Sequence, residues 1–470
     1  MTLNDESRSI DKLVTLLGDA SRVSTAEETI SAHSYDAWPV AVKQKQANER
    51  PYAPDIVVSV RTTEEVSKVL SFANEKSIPV TAWGLGSSVV GAPLAIAGGI
   101  CLDTSMMDQL IEIDERNSTV TAEAGMIGGH LESVLNERGL TLNFSPQSLH
   151  RSSIGGWVAT RATGQFSSKY GGIEEALVAV EVVLANGEVV QSLKLPRMSV
   201  GLKLNDVFIG SEGCFGIVTK VTLRIYPVAE TQIFSTIDFP DVTSGVDVMR
   251  EIMIRGVRPF LLRFYDLEET RFVMRNQEYP NPVMFLGTSG VKEVAEVELA
   301  ACVKFAEAKG GRVVDNQGTE NWMGRRFDFS AVENVLGKPG GVAETIEISH
   351  DWDGIVRTHA LLKEKLRVIS KNVLGHFSHA YVDGVSLYII LVSEEETLED
   401  SRRAIDDIWR ISMEGALETG ASIAHHHGVG LARDPYVVRS LGNGHKIIAT
   451  VKAALDPKGI LNPGKLGLRR

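Results

Sequence analysis

Three adjacent histidines, His425-His426-His427, run into Gly428-Val429-Gly430. An imidazole changes charge near neutral pH, so such a run can move protons or bind a metal. In an extended segment neighbouring side chains alternate faces, so the three rings cannot all reach one metal from one side. Proton transfer is the expected chemistry, and core or turn histidines are the plain alternative. Three segments rich in glycine and hydroxyls accompany them. The first is Trp83-Gly84-Leu85-Gly86-Ser87-Ser88-Val89-Val90-Gly91. The second, Pro146 to Gly164, carries Ser148, Ser152, Ser153, Gly155, Gly156, Thr160 and Thr163 and has no clear strand or helix period. The third, Gly210-Ser211-Glu212-Gly213-Cys214-Phe215-Gly216-Ile217, follows downstream. Backbone N–H groups approach a bulky anion only where side chains are small, and hydroxyls add donors. Three such loops in order point to a long ligand, such as a dinucleotide, lying across one domain.

The elements around the loops read as β-α-β. Residues 56–60 form a buried strand, and Arg61-Thr62-Thr63-Glu64-Glu65 starts a helix with Thr at the cap and acids in the first turn. Val66, Val69, Leu70 and Ala73 give that helix one apolar stripe. Ile78 to Trp83 returns as a strand and delivers the first loop. A G-x-G-x-x-G reading from Gly84 puts Val89 at the third glycine, and Gly464-Lys465 is followed by Leu466, so neither common phosphate motif is met. Leu177 to Val190 is a hairpin turning at Asn186-Gly187, and Ile217 to Pro227 alternates apolar and polar residues. After about residue 230 the glycine loops stop, and amphipathic helices alternate with strands to about residue 415.

Composition narrows the function. A chain of 470 residues exceeds one simple core and predicts two domains. A net charge of −12 without a basic block argues against a nucleic-acid partner. Cys101, Cys214 and Cys302 lie far apart, so neither a disulfide framework nor a zinc site is indicated, and the cytoplasm is the expected compartment. Met1 to Ser7 lacks the features of a signal peptide, and no apolar run approaches the ~20 residues that span a bilayer.

The ordered loops, with Pro54-Asp55-Ile56-Val57-Val58 and the ending Leu455-Asp456-Pro457-Lys458-Gly459-Ile460-Leu461-Asn462-Pro463-Gly464-Lys465, resemble the vanillyl-alcohol oxidase / p-cresol methylhydroxylase flavoprotein family over nearly the whole chain. The resemblance implies an α+β fold. It has a two-part FAD-binding domain over 1–229 (with an N-terminal extension, 1–50), an α/β substrate-binding cap over 230–415, and a C-terminal segment, 416–470, returning to the first domain. Many relatives tether FAD through a histidine of the first loop. Trp83 to Gly91 has none, so noncovalent FAD is expected.

Within that family the chain is similar to alkyldihydroxyacetonephosphate synthases. The likeness rests on His425 to Gly430, Ser148-Leu149, Gly155-Gly156-Trp157, Thr160-Arg161-Ala162, Pro196-Arg197-Met198-Ser199 and Gly210-Ser211-Glu212-Gly213. It implies exchange of the acyl group of acyl-dihydroxyacetone phosphate for a fatty alcohol, with no net redox change. Tyr388, His426 and His427 would handle protons. Arg263, and Arg325 or Arg326, would face the substrate phosphate or carboxylate. A small-molecule or lipid-like substrate, a homodimer and contact with a membrane surface belong to the same expectation. Read on its own, Tyr388 on an apolar strand is a core residue with a satisfied hydroxyl. Arg263, on Leu262-Arg263-Phe264, is a buried charge needing a partner such as Asp266. One of Arg325 and Arg326 is a solvated helix residue. The rival enzyme is an FAD-dependent D-2-hydroxyacid (D-lactate or glycolate) dehydrogenase or oxidase, many of which bind a metal through a His-x-x-Asp-Gly-Asn-x-His element. Here His379-Ala380-Tyr381-Val382-Asp383-Gly384-Val385-Ser386-Leu387-Tyr388 lacks the Asn and ends in Tyr, which weakens a metal site. A non-catalytic FAD carrier would have no need of the histidines and arginines.

Overall fold

Thr62 caps the helix Thr63–Lys76, its Oγ1 accepting from Glu65 N at 3.2 Å, and Val66, Val69, Leu70 and Ala73 are fully buried along one stripe. The computed structural model describes residues 3–468; residues 1–2 and 469–470, the outermost ends of the expected terminal segments, lie outside it. The stripe covers a four-stranded sheet ordered Val23–Ser24, Ile56–Ser59, Ile100–Asp103, Val80–Trp83, whose last three strands are parallel. Near the other end of the chain, Leu461 bridges to Val80 and Asn462 N donates to Val80 O at 2.8 Å.

A second, antiparallel sheet is ordered Leu110–Asp114, Thr119–Glu123, Ile217–Arg224, Leu177–Val183, Val189–Gln191. The hairpin falls where the sequence places it, with Gly187 at φ +87° in the turn. Ile217–Arg224 does not expose alternate residues as the sequence pattern predicts. It is central in its sheet and covered by the helix Ile154–Thr160, so both faces are buried. That helix also corrects the reading of residues 146–164 as aperiodic: seven residues, three of them Ile, Trp and Val among small ones, are too few to display a 3.6-residue period.

Residues 231–394 supply a seven-stranded antiparallel sheet. Its order is Arg312–Asp315, Thr231–Asp238, Val283–Gly290, Leu261–Tyr265, Val373–Ala380, Gly384–Glu394, Gly341–Asp351. One face carries Leu262, Phe264, Phe377, Leu387, Ile346 and Ile348 into the helices Val242–Ile254, Trp352–Leu366 and Leu398–Thr419. Gly245 leaves the space that Phe264 fills, since a Cβ there would lie 2.1 Å from the ring. Because successive strand residues point to opposite sides, Arg263, Tyr265, His376, Tyr388 and Glu347 project from the other face. Tyr265 pairs with His376, His376 with Tyr388 and Tyr388 with Glu347, one row across four strands. Among the described residues no helix is long and apolar enough to cross a membrane.

Candidate active site

Glu347 ends that row and organises the histidines. Its carboxylate accepts the amides of His425, His426 (3.1 Å) and His427 (3.0 Å), and Arg433 Nη2 lies 2.9 Å away. Collecting three consecutive amides on one carboxylate bends the chain, so the triplet is not the extended segment the sequence reading takes it to be. The rings cluster instead: His425 Nδ1 and His426 Nδ1 are 2.7 Å apart, and the centroids of His426 and His427 are 4.6 Å apart. Burial opposes ionisation of Glu347, but Arg433 and the amide of His427 still hold its carboxyl below the usual range. Arg433 is fully buried. It donates to Ile423 O (2.7 Å), Gly428 O (2.8 Å) and Glu347 O (3.1 Å), and it lies over the Trp409 ring.

Tyr388 Oη sits 2.6 Å from His427 Nε2 and 3.4 Å from His426 Nε2. Burial, then the charge of Glu347, pushes the phenol above its ordinary range. Burial, then Arg433, pulls His427 down to about 3, and burial depresses His425 and His426 as well. The three imidazoles are therefore neutral near pH 7, each with one unprotonated ring nitrogen. His425 Nε2 meets Tyr381 Oη at 2.9 Å, and His379 Nδ1 meets Ser167 Oγ at 2.8 Å.

Arg263 enters the same space, but not against Asp266, which is taken by His359 (3.0 Å) and Lys363 (2.5 Å). Its Nε donates to Tyr265 Oη (2.9 Å), its Nη2 to His376 Nε2 (2.7 Å), and its plane lies 4.8 Å from the Trp322 ring. Arg325 donates to Val273 O, whereas Arg326 donates to Met323 O (2.6 Å) and stacks over Phe327 (4.3 Å). Neither reaches the Tyr388 cluster through a direct hydrogen bond.

The three glycine loops converge on the same place. A Cβ on Gly84 would lie 2.6 Å from Ser153 Oγ, and one on Gly164 would lie 2.5 Å from Ser145 N. Val90 O accepts from Leu431 N (2.7 Å) and Ala432 N (3.1 Å), while Glu212 accepts from Val429 N and Gly430 N (3.0 Å). The first and third loops thus grip the turn that follows His427. Asn462 Nδ2 ties them together through Ala92 O (3.2 Å) and Glu212 O (2.6 Å). Several hydroxyls of the second loop are spent locally. Ser148 donates to Ser152, which accepts from Trp157 Nε1 (2.8 Å); Ser153 caps Gly156; Thr160 donates to Gly156 O; Pro146 O accepts from Leu149 N. Gly155 gives its amide to Ala124 O, and Gly216 packs against Val182 beside Ile217. What remains free is specific: among the described residues the amides from Gly84 through Val89, spanning Leu85, Gly86, Ser87 and Ser88, find no acceptor, nor do those of Thr163, Gly164 and Gly213. Trp83, buried against His33, anchors the start of the first run. Consecutive free amides on small residues are a donor set suited to a diphosphate.

The fold is that of a p-cresol methylhydroxylase-type flavoprotein. The solved structure of p-cresol methylhydroxylase with substrate bound superposes with a TM-score of 0.82, covering 100% of this chain and 98% of that one at 18% identity. Residues 54–192 match the FAD binding domain model and residues 229–466 the C-terminal domain model of FAD linked oxidases. The chain belongs to this FAD-linked oxidase family and is an FAD-dependent enzyme. It is 30% identical to an uncharacterized FAD-linked oxidoreductase, YgcU, of Escherichia coli (strain K12), over 97% of both chains. It is also 30% identical to the alkyldihydroxyacetonephosphate synthase of Caenorhabditis elegans, over 88% of this chain and 76% of that one. A probable mitochondrial D-lactate dehydrogenase of Danio rerio is 27% identical over 95% of this chain and 90% of that one.

Glu347, Arg433, His376 and Glu269 escaped the sequence reading. The argument that singled out Arg263, a charge on an apolar strand, applies equally to Glu347 in Thr345-Ile346-Glu347-Ile348. Arg433 carries no such signal, because it acts from a loop.

Proposed function

We propose that the chain is an alkyldihydroxyacetonephosphate synthase-like enzyme that exchanges the acyl group of acyl-dihydroxyacetone phosphate for a fatty alcohol. The observation that carries this reading is the Tyr388 phenol held between two neutral imidazoles, on the sheet face from which Arg263 also projects. FAD would be held without a covalent link by the free amides of Gly84 to Val89, Thr163, Gly164 and Gly213, with residues 230–415 as the substrate cap. When bound, the flavin supplies the reactive ring for the substrate carbon. Tyr388 Oη accepts a proton from that carbon as His427 Nε2 takes the phenol's own, and Glu347 Oε1, 3.7 Å from His427 Nδ1, offsets the imidazolium. The acyl group departs as a carboxylate, His426 takes the proton of the incoming alcohol, the proton held on His427 goes back through Tyr388 to the substrate carbon, and Arg263 binds the phosphate.

The metal-dependent 2-hydroxyacid reading has one point in its favour: ligand-type atoms of Glu347, His425 and His426 lie within 4.8 Å of one another. The carboxylate, however, is committed to three amides and Arg433, and the two Nδ1 atoms to each other. Anaerobic titration of the FAD-loaded protein separates the readings. Acyl-dihydroxyacetone phosphate should bleach the flavin and D-lactate or glycolate should not; the reverse pattern would replace this proposal with the dehydrogenase.

A further inference from the structure

Two buried groups behind Arg263 have no role so far: His376 of the polar face and Glu269 of the helix Leu267–Val273, which with Arg263 form one line. We infer that Glu269 and His376 are positioning residues, which fix one tautomer of His376 and thereby aim Arg263 at the substrate anion and brace the ring of Tyr388. The inference rests on the reading of Arg263 and Tyr388 above.

The chemistry of the line has one direction. A guanidinium only donates, so the contact of 2.7 Å from Arg263 Nη2 requires a bare, accepting Nε2 on His376. A neutral imidazole with a bare Nε2 carries its proton on Nδ1. Nδ1 lies 2.8 and 2.9 Å from the two oxygens of Glu269 and donates to them. All three side chains are at least 94% buried, so water cannot substitute for a lost partner. Burial, then Arg263, keeps His376 well below its ordinary pKa and therefore neutral. Glu269 is itself held: its amide donates to Asp266 Oδ1 (2.9 Å), the N-cap of the helix Leu267–Val273, and Asp266 is pinned by His359 and Lys363. On its other side His376 stacks flat on Tyr388, centroids 4.9 Å apart at 8°. Arg263 Nη1 finds no acceptor among the described residues and is left for a ligand. The opposite tautomer would set an N–H against the guanidinium and displace Arg263 from that aim.

Three measurements test this. In FAD-loaded protein carrying ¹⁵N-histidine, His376, assigned by His376→Asn, should show a pyridine-type Nε2 and a pyrrole-type Nδ1 from pH 5 to 8. Glu269→Gln keeps an acceptor and should leave the KM for palmitoyl-dihydroxyacetone phosphate within about twofold. Glu269→Leu removes it and should raise that KM about tenfold or more, with kcat within about threefold and flavin content unchanged, as for a lost hydrogen bond to a charged site. An Nε2-protonated ring or an imidazolium overturns the inference, as does equal impairment by Gln and Leu. If Glu269→Leu fails to fold, the spectrum and the Gln variant decide. Arg263→Met with an unchanged KM would instead refute the reading of Arg263, a result distinct from a wrong tautomer.

Discussion

Along Leu261–Tyr265, Leu262 and Phe264 enter the helical layer, while Arg263 and Tyr265 enter the opposite side, and every one of these side chains is buried. The same division continues through Phe377 against His376 and Leu387 against Tyr388. On the helical face the contacts are interchangeable hydrocarbon, stabilising in proportion to area removed from water. On the other face each polar group has specific named partners, and loss of one leaves a buried group unsatisfied. The comparison teaches that exposure does not mark the proposed site in this sheet; the pattern of partners does. It also explains how a face crowded with imidazoles is tolerated: the adjacent apolar face supplies the stability.

If the faces divide the labour this way, Phe264→Ala should cost about 3–5 kcal/mol in urea unfolding, with little change in the KM of whatever protein remains folded. A loss below about 1 kcal/mol would break the comparison. The polar face should instead reveal itself through pH. The unfolded chain protonates His427 below about 6.5, whereas burial keeps it neutral in the fold down to about 3. The unfolded state thus binds more protons in that window, so stability from this site falls as pH falls. Relative to His427→Asn, the wild type should lose about 2 kcal/mol between pH 6.5 and 5. A difference independent of pH would mean that His427 takes up its proton as readily in the fold as in the unfolded chain. The mildest effect on folding is expected at the loops: Gly84→Val forces Ser153 Oγ aside and should lower FAD content while leaving the far-ultraviolet spectrum intact. The flavin it retains, like that of the wild type, should appear in the supernatant after acid precipitation. Colour in the pellet would mean a covalent link.

Much of the scaffold is legible in the sequence because it is local. Thr62 caps its helix, Asn186-Gly187 turns its hairpin, and the apolar stripe from Val66 to Ala73 is spaced as a helix requires. The triplet stands out in the sequence but its geometry does not, because its bend is imposed by Glu347, 78 residues upstream of His425. Likewise the expected pair Arg263–Asp266 is local and wrong: the strand turns the two side chains to different partners, His376 and Lys363. The glycine loops were recognisable by composition, yet which of their donors stay free depends on residues outside them, as where Ala124 O takes the Gly155 amide.

The central claim is that the polar face handles protons without a metal, and Tyr388→Phe tests it most directly. Removing only the hydroxyl leaves the stack on His376 in place, so the variant should be folded and fully loaded with FAD. Its turnover of acyl-dihydroxyacetone phosphate with a fatty alcohol should be slowed about 10²–10⁴-fold, and wild-type turnover should be indifferent to EDTA. Full activity in Tyr388→Phe, or wild-type activity that EDTA abolishes and added zinc or manganese restores, would contradict the account.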